Sequence, residues 1–358
     1  VADFSYSYAA NGSDIRNVSI NYYGASGVRA IAAKTTDALH HTDNYRATSL
    51  GQAEGDITKR RSTTFFVGEQ GAEVADFSYS YAANGSDVRS VSINYYEGFQ
   101  RAAAAGIGAA LIQTDNHRTG DIASIAKANR ISSTFFVGLS GDEVADFSYS
   151  YAANGSDIRN VSINYYGASG VRAIAAKTTD ALHHTDNYRA TSLGQAEGDI
   201  TKRRSTTFFV GEQGAEVADF SYSYAANGSD VRSVSINYYE GFQRAAAAGI
   251  GAALIQTDNH RTGDIASIAK ANRISSTFFV GLSGDEVADF SYSYAANGSD
   301  IRNVSINYYG ASGVRAIAAK TTDALHHTDN YRATSLGQAE GDITKRRSTT
   351  FFVGSRGR

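Results

Sequence analysis

A chain of 358 residues with a net charge of −3, and with no Cys, Pro, Met or Trp, is narrowed before any motif is read. Without cysteine there is no disulfide and no thiolate metal site, and interspersed acids and bases leave no basic face for nucleic acid. The longest uncharged, mostly apolar run, residues 102–114, is shorter than the about 20 residues a membrane helix needs, so no membrane insertion is expected. No signal peptide is visible at Val1, and the missing methionine suggests a processed or excised part of something longer. At a usual frequency of about 5% proline should have appeared many times; copying one short parent module copies its absences too.

The copying is plain. VADFSYSYAANGSD begins at Val1 and returns at Val74, Val144, Val217 and Val287. Residues 1–73 form a repeat A and 74–143 a related repeat B; 144–216 and 217–286 repeat the pair without change, and 287–358 carry a third A. Length alone would suggest two or three domains; the repeats give five modules instead.

Each module opens with two alternating segments. Phe4, Tyr6 and Tyr8 alternate with Asp3, Ser5 and Ser7, then Val18, Ile20 and Tyr22 with Asn17, Ser19 and Asn21. Period-2 alternation of aromatic and β-branched residues predicts a hairpin with one apolar and one polar face. Parity sets the turn at Asn11-Gly12: a three-residue loop, 10–12, sets Phe4 opposite Val18 and keeps the apolar face intact, with Gly12 left-handed.

Beyond the hairpin, residues 28–41 of A and 99–114 of B are alanine-rich or apolar at helical spacing and predict a helix, although Gly106 and Gly108 weaken the B copy by about 1 kcal/mol each. Residues 121–130 predict a short helix with Asp121 as N-cap and Ile122, Ile125 and Ala126 inward. Their A counterpart, 47–61, is broken by Gly51 and Gly55 and reads as a loop or frayed helix. A third strand, TFFV, comes next at 64–67, 134–137, 207–210 and 277–280, close enough to the next VADF to pair with it.

The fold class expected is therefore an α+β tandem-repeat array, each repeat a three-stranded antiparallel meander with one or two helices. The alternative is a closed, propeller-like ring of five modules. In an open array the hairpin at Val1 lacks the TFFV partner that its later copies have.

Chemistry-bearing motifs are few. Asp43, Asn44 and Arg46, with Asp115, Asn116 and Arg118 in B, cluster at what reads as a helix end and would bind a sugar or Ca²⁺, or simply form a C-terminal turn. Tyr23 and Tyr96 fall on the polar face, where they would stack on a sugar or pack on a neighbouring chain. His40-His41 on a helix would point about 100° apart and B lacks the pair, so no metal site is expected. His117 reads as a surface or turn residue. Asn11-Gly12-Ser13 and Asn17-Val18-Ser19 match the glycosylation sequon. Lys59-Arg60-Arg61 reads as a solvated basic loop. No nucleophile elbow, phosphate loop, dinucleotide fingerprint or His-Glu-x-x-His occurs, so neither catalysis nor a cofactor is expected. Repetition of identical modules points to a non-enzymatic structural protein of an extracellular fibre or adhesive layer, partnered by copies of itself. The alternative is a multivalent carbohydrate-binding protein.

Overall fold

The alternating segments do form strands, and consecutive strands pair as an antiparallel meander. A computed structural model describes residues 1–358 apart from 9–12, 14, 83, 107, 250, 282, 285, 320–322 and 354–358. The chain divides into two units, Val1–Asp199 and Ile200–Arg358.

In the first unit the strands are β1 (Phe4–Tyr8), β2 (Ile15–Tyr23), β3 (Val28–Arg29), β4 (Leu39–Tyr45), β5 (Arg60–Val67), β6 (Val74–Tyr81), β7 (Val88–Tyr96), β8 (Leu111–His117), β9 (Arg130–Val137), β10 (Val144–Tyr151), β11 (Ile158–Tyr166), β12 (Val171–Arg172) and β13 (Leu182–Tyr188). Pairing runs in chain order, except that the two-residue β3 and β12 sit beside the ends of β2 and β11 and leave β2 to pair with β4 and β11 with β13. The second unit repeats the arrangement with β14 (Arg203–Val210), β15 (Val217–Tyr224), β16 (Val231–Tyr239), β17 (Leu254–His260), β18 (Arg273–Val280), β19 (Val287–Tyr294), β20 (Ile301–Tyr309), β21 (Val314–Arg315), β22 (Leu325–Tyr331) and β23 (Arg346–Phe351).

The expected pairing of TFFV with the next hairpin is present: Phe65 lies opposite Phe77 and Val67 opposite Val74, with equivalent registers at β9/β10, β14/β15 and β18/β19. The two helices expected after the hairpin are absent. Residues 28–41 hold β3, one 3₁₀ turn (Ala30–Ala32) and the start of β4; the end of 99–114 is the start of β8. Two physical terms outweigh the alanine content. A nine-residue β2 or β7 needs its second row of N–H and C=O groups paired, and β4 or β8 supplies that ladder. In B, Gly108 adopts a left-handed φ of +81°, which a helix interior does not accommodate. Isolated helices of this length are marginal in any case.

The helices that do form are short. α1 (Leu50–Gly55), with its copies α2 (Leu193–Gly198) and α3 (Leu336–Gly341), falls in the segment expected to be a loop or frayed helix. Ser49 caps it by accepting from Gln52 N at 3.2 Å. Its buried Ala53 joins Val18, Ile20, Tyr45 and Ala47 in a core cluster, with Leu50 packed alongside. In B, Asp121 is the cap expected, accepting from Ala123 N, but the residues after it form two 3₁₀ turns, Ile122–Ser124 and Lys127–Asn129, in place of one helix. Ile122 and Ile125 are half-buried and Ala126 is exposed.

The hairpin register differs from expectation by two residues. Phe4 lies opposite Ile20 and Tyr6 opposite Val18, so the faces keep their parity. Residues 10–12 lie outside the described residues. In the copy at 152–157 the connection is six residues, with Gly155 left-handed (φ +64°) and Asn154 Oδ1 accepting from Ser156 N and Asp157 N. A Cβ on Gly155 would come 1.7 Å from the Lys127 carbonyl oxygen, so the turn is seated against the preceding module and glycine is required there.

Candidate functional site

The two faces of the meander differ in chemistry. On one, Asn21, Thr42, Thr64, Ser78, Ser92 and Asn116 are successive cross-strand partners on six strands. These rows are hydrogen-bonded across the strands: Thr42 Oγ1 donates to Asn21 Oδ1 at 2.9 Å, and Ser19 Oγ to Asn44 Oδ1 at 2.6 Å. The other face carries the aromatic and β-branched side chains, with Phe65 stacked on Phe77 at 4.6 Å and Tyr79 edge-on to both.

The strand assignment separates the residues expected to form one ligand site. Asp43 and Asn44 are adjacent in β4 and point to opposite faces. Asp43 is buried on the apolar face, whereas Asn44 lies in the polar rows, donating to Ser62 Oγ at 3.3 Å. Asp115 and Asn116 in β8 are placed the same way, and neither pair lies at a helix end. Arg46 and Arg118 come directly after their strands, with backbone N–H groups bonded to Lys59 and Asn129 carbonyls. Tyr23 and Tyr96 keep the polar-side parity expected, beside Asn21 and Asn94, which bond the same Ala2 and Ala75 carbonyls, but they are buried there rather than wet. Their hydroxyls donate to Ala2 and Ala75 carbonyls at 2.5 Å, and burial raises both phenol pKa values. His117 is likewise buried, at the end of β8. Asn17 of the second sequon is in β2, as expected; the first sequon begins outside the described residues.

Asp43 belongs instead to a node that joins one module to the next. It accepts from Thr63 Oγ1 and from Tyr45 Oη at 3.2 Å, and Arg60 Nη1 stands 3.6 Å away. Arg60 also covers the ring of Tyr81 at 4.1 Å and donates to Gly85 O at 2.9 Å, both in the following repeat. In B, Asp115 accepts from Ser133 Oγ at 2.5 Å and Gln113 Nε2 at 2.6 Å, and Arg130 covers Tyr151 at 4.0 Å. Burial, with Asp329 beside it, pushes the equivalent Tyr331 up to about 12. Arg60 is therefore part of the packed junction and not of a solvated cluster. The signal available in the sequence is internal: Asp43/Asp115, Arg60/Arg130 and Tyr81/Tyr151 persist where A and B otherwise drift.

A second fork fixes each hairpin to its own loop. Arg172 Nε and Nη2 donate to the two oxygens of Asp146 at 2.9 and 2.6 Å, and the pairing recurs at Asp3, Asp76, Asp219 and Asp289. Hydrogen bonds from Arg29 hold the Asp3 carboxyl below its usual range.

His40 and His41 do meet, contrary to the helical reading. His41 pairs with Tyr22 and Leu39 with Tyr23, so His40 is the extra residue of a bulge. Both rings then reach the same side, with Nδ1 to Nδ1 at 2.7 Å, and again at His183/His184 and His326/His327. One Nδ1 must donate and the other accept, so the contact cannot survive with both rings charged. Among the described residues no group of three potential metal ligands occurs. Burial lowers the pKa of His41 and His327 below the ordinary histidine value, partly offset by Asp43 and Asp329. The unfolded chain therefore binds more protons below about pH 6.5, and stability falls as pH drops through that value toward the lower folded pKa. The melting temperature should decline between about pH 7.5 and 5.5. Replacing each His-His pair by the Ile-Gln that B carries (His40→Ile with His41→Gln, and so on) should flatten that decline; an unchanged slope would exclude the pairs as its source.

No protein-family model and no curated protein matches this chain.

Proposed function

We propose that the chain is a non-enzymatic structural protein, an array that builds a fibre or adhesive layer outside the cell by pairing strand edges. The supporting observation is one junction used four times, together with its two exposed halves. At β5/β6, β9/β10, β14/β15 and β18/β19, a TFFV strand meets a VADFSYSY strand in one register, and two phenylalanines stack at 4.4–4.6 Å. In the first unit β1 pairs only with β2, and in the second β23 pairs only with β22, among the described residues. Phe4 is 37% and Phe351 68% exposed. The Asp3 side chain is 36% exposed, against 10–14% for its four copies.

A second copy of the chain offers the missing half: its β23 against β1 reproduces the internal junction, with Phe351 on Phe4. Unpaired edges are templates for such addition. Closing the same junction within one chain would instead give a ring. Phe4→Lys or Phe351→Lys places a charge in the stack and should abolish end-to-end association while leaving the internal junctions intact. Association that is unaffected by both would refute edge pairing.

A further inference from the structure

In the second unit a cavity of about 370 Å³ opens where β17 ends and β18 begins, within the range of small-ligand sites. Its walls include Arg261, Asn272, Arg273, Ile274, Tyr294 and Arg302, brought from four separate segments. Arg273 is committed to the fold: it lies 3.4 Å from Asp258, donates to Gly298 O at 3.3 Å and covers Tyr294 at 4.1 Å. Arg261 and Arg302 are exposed, and among the described residues neither has a carboxylate within ion-pair distance. Two guanidinium forks thus flank a cleft whose floor arginine is already paired with Asp258, and the described residues supply no anion to the two forks.

We propose that this cleft binds the sulfate or carboxylate groups of an anionic polysaccharide, an activity beyond strand-edge assembly. A guanidinium has five donors and no acceptor, and its planar fork fits two oxygens of one anionic group. The ring of Tyr294, the one aromatic among the residues that line the cleft, is covered on one face by Arg273 rather than left open to a stacked base. That favours a sugar polymer over nucleic acid, whose bases need a face to stack on. The residue set recurs in the first unit as Arg118, Asn129, Arg130, Tyr151 and Arg159, with Arg118 and Arg159 again exposed and without an acidic partner among the described residues.

The test is calorimetric titration of the full chain, at a concentration where it sediments as a monomer and in about 50 mM salt. Heparin (sulfate and carboxylate), alginate (carboxylate alone) and single-stranded RNA are compared. Heparin or alginate should bind, the stronger of the two identifying the anion. The fourfold variant Arg118→Ser, Arg159→Ser, Arg261→Ser, Arg302→Ser should lose at least about tenfold in affinity, at an unchanged melting temperature because all four side chains are exposed. The corresponding fourfold Lys variant keeps the charge without the fork and should fall between. Failure of both polysaccharides to bind, tighter binding of RNA, or a fourfold Ser variant that is folded and binds as the parent does would each overturn the proposal.

Discussion

Asp115→Ala is expected to destabilise its module by about 3–5 kcal/mol, the cost of removing one partner from a buried charge pair. The carboxylate is the common acceptor for Ser133 and Gln113, and Arg130 is its counter-ion. Ser133 and Gln113 are both buried, so neither finds water in its place. Asp115→Asn keeps the shape and should cost less. A global melt would blur a local loss in a repeat array, so the check is hydrogen exchange read by mass spectrometry. The substitution changes the mass of its own peptide and separates it from the identical sequence around Asp258. Amides of β8 and β9 should exchange faster, while those of β17 and β18 should not.

Ile163→Ala should cost about 2–5 kcal/mol. Ile163 is fully buried, in a cluster with Val161, Tyr188, Ala190 and Ala196, and the short α2 that covers it is too small to collapse into the gap. The contrasting substitution is Ile174→Ala. That side chain is 78% exposed on a 3₁₀ turn, so its loss should change stability by no more than about 0.5 kcal/mol. Hydrogen exchange of the mass-tagged peptide that carries each substitution separates a packed core position, which exchanges faster, from an exposed isoleucine of the same sequence repeat, which does not.

The hairpin, the repeat boundaries and the TFFV pairing are legible in the sequence because period-2 alternation and exact repetition are direct signals. The strand at Leu39–Tyr45 is not. Its alanine-rich approach carries a helical spacing, and only the demand of β2 for a second partner decides against it, which is a non-local term. His40 escapes prediction because the bulge between β2 and β4 adds one residue, and parity counted across it fails; Tyr23 has the expected parity, and what alternation cannot reveal is its burial. The Asp43–Arg60–Tyr81 node is hidden because its members are separated by 17 and 21 residues, in strands whose register has to be known first. Asp3, expected on the polar face by alternation, is held by Arg29 of the two-residue β3, 26 residues away.

The aromatic stack explains why edge pairing has direction. VADFSYSY presents a phenylalanine to TFFV, whereas two copies of β23 paired antiparallel along their length would set Arg346 opposite Phe351 and lose the stack. Association is therefore expected head to tail, a geometry that extends without closing unless the rotation returns on itself.

Sedimentation velocity over a wide concentration range tests the assembling role most directly. The weight-average mass should rise with concentration as chains add end to end, and Phe351→Lys should hold it at that of one chain. A single species of one-chain mass at every concentration, in the unmodified protein as in the variant, would contradict assembly through strand edges.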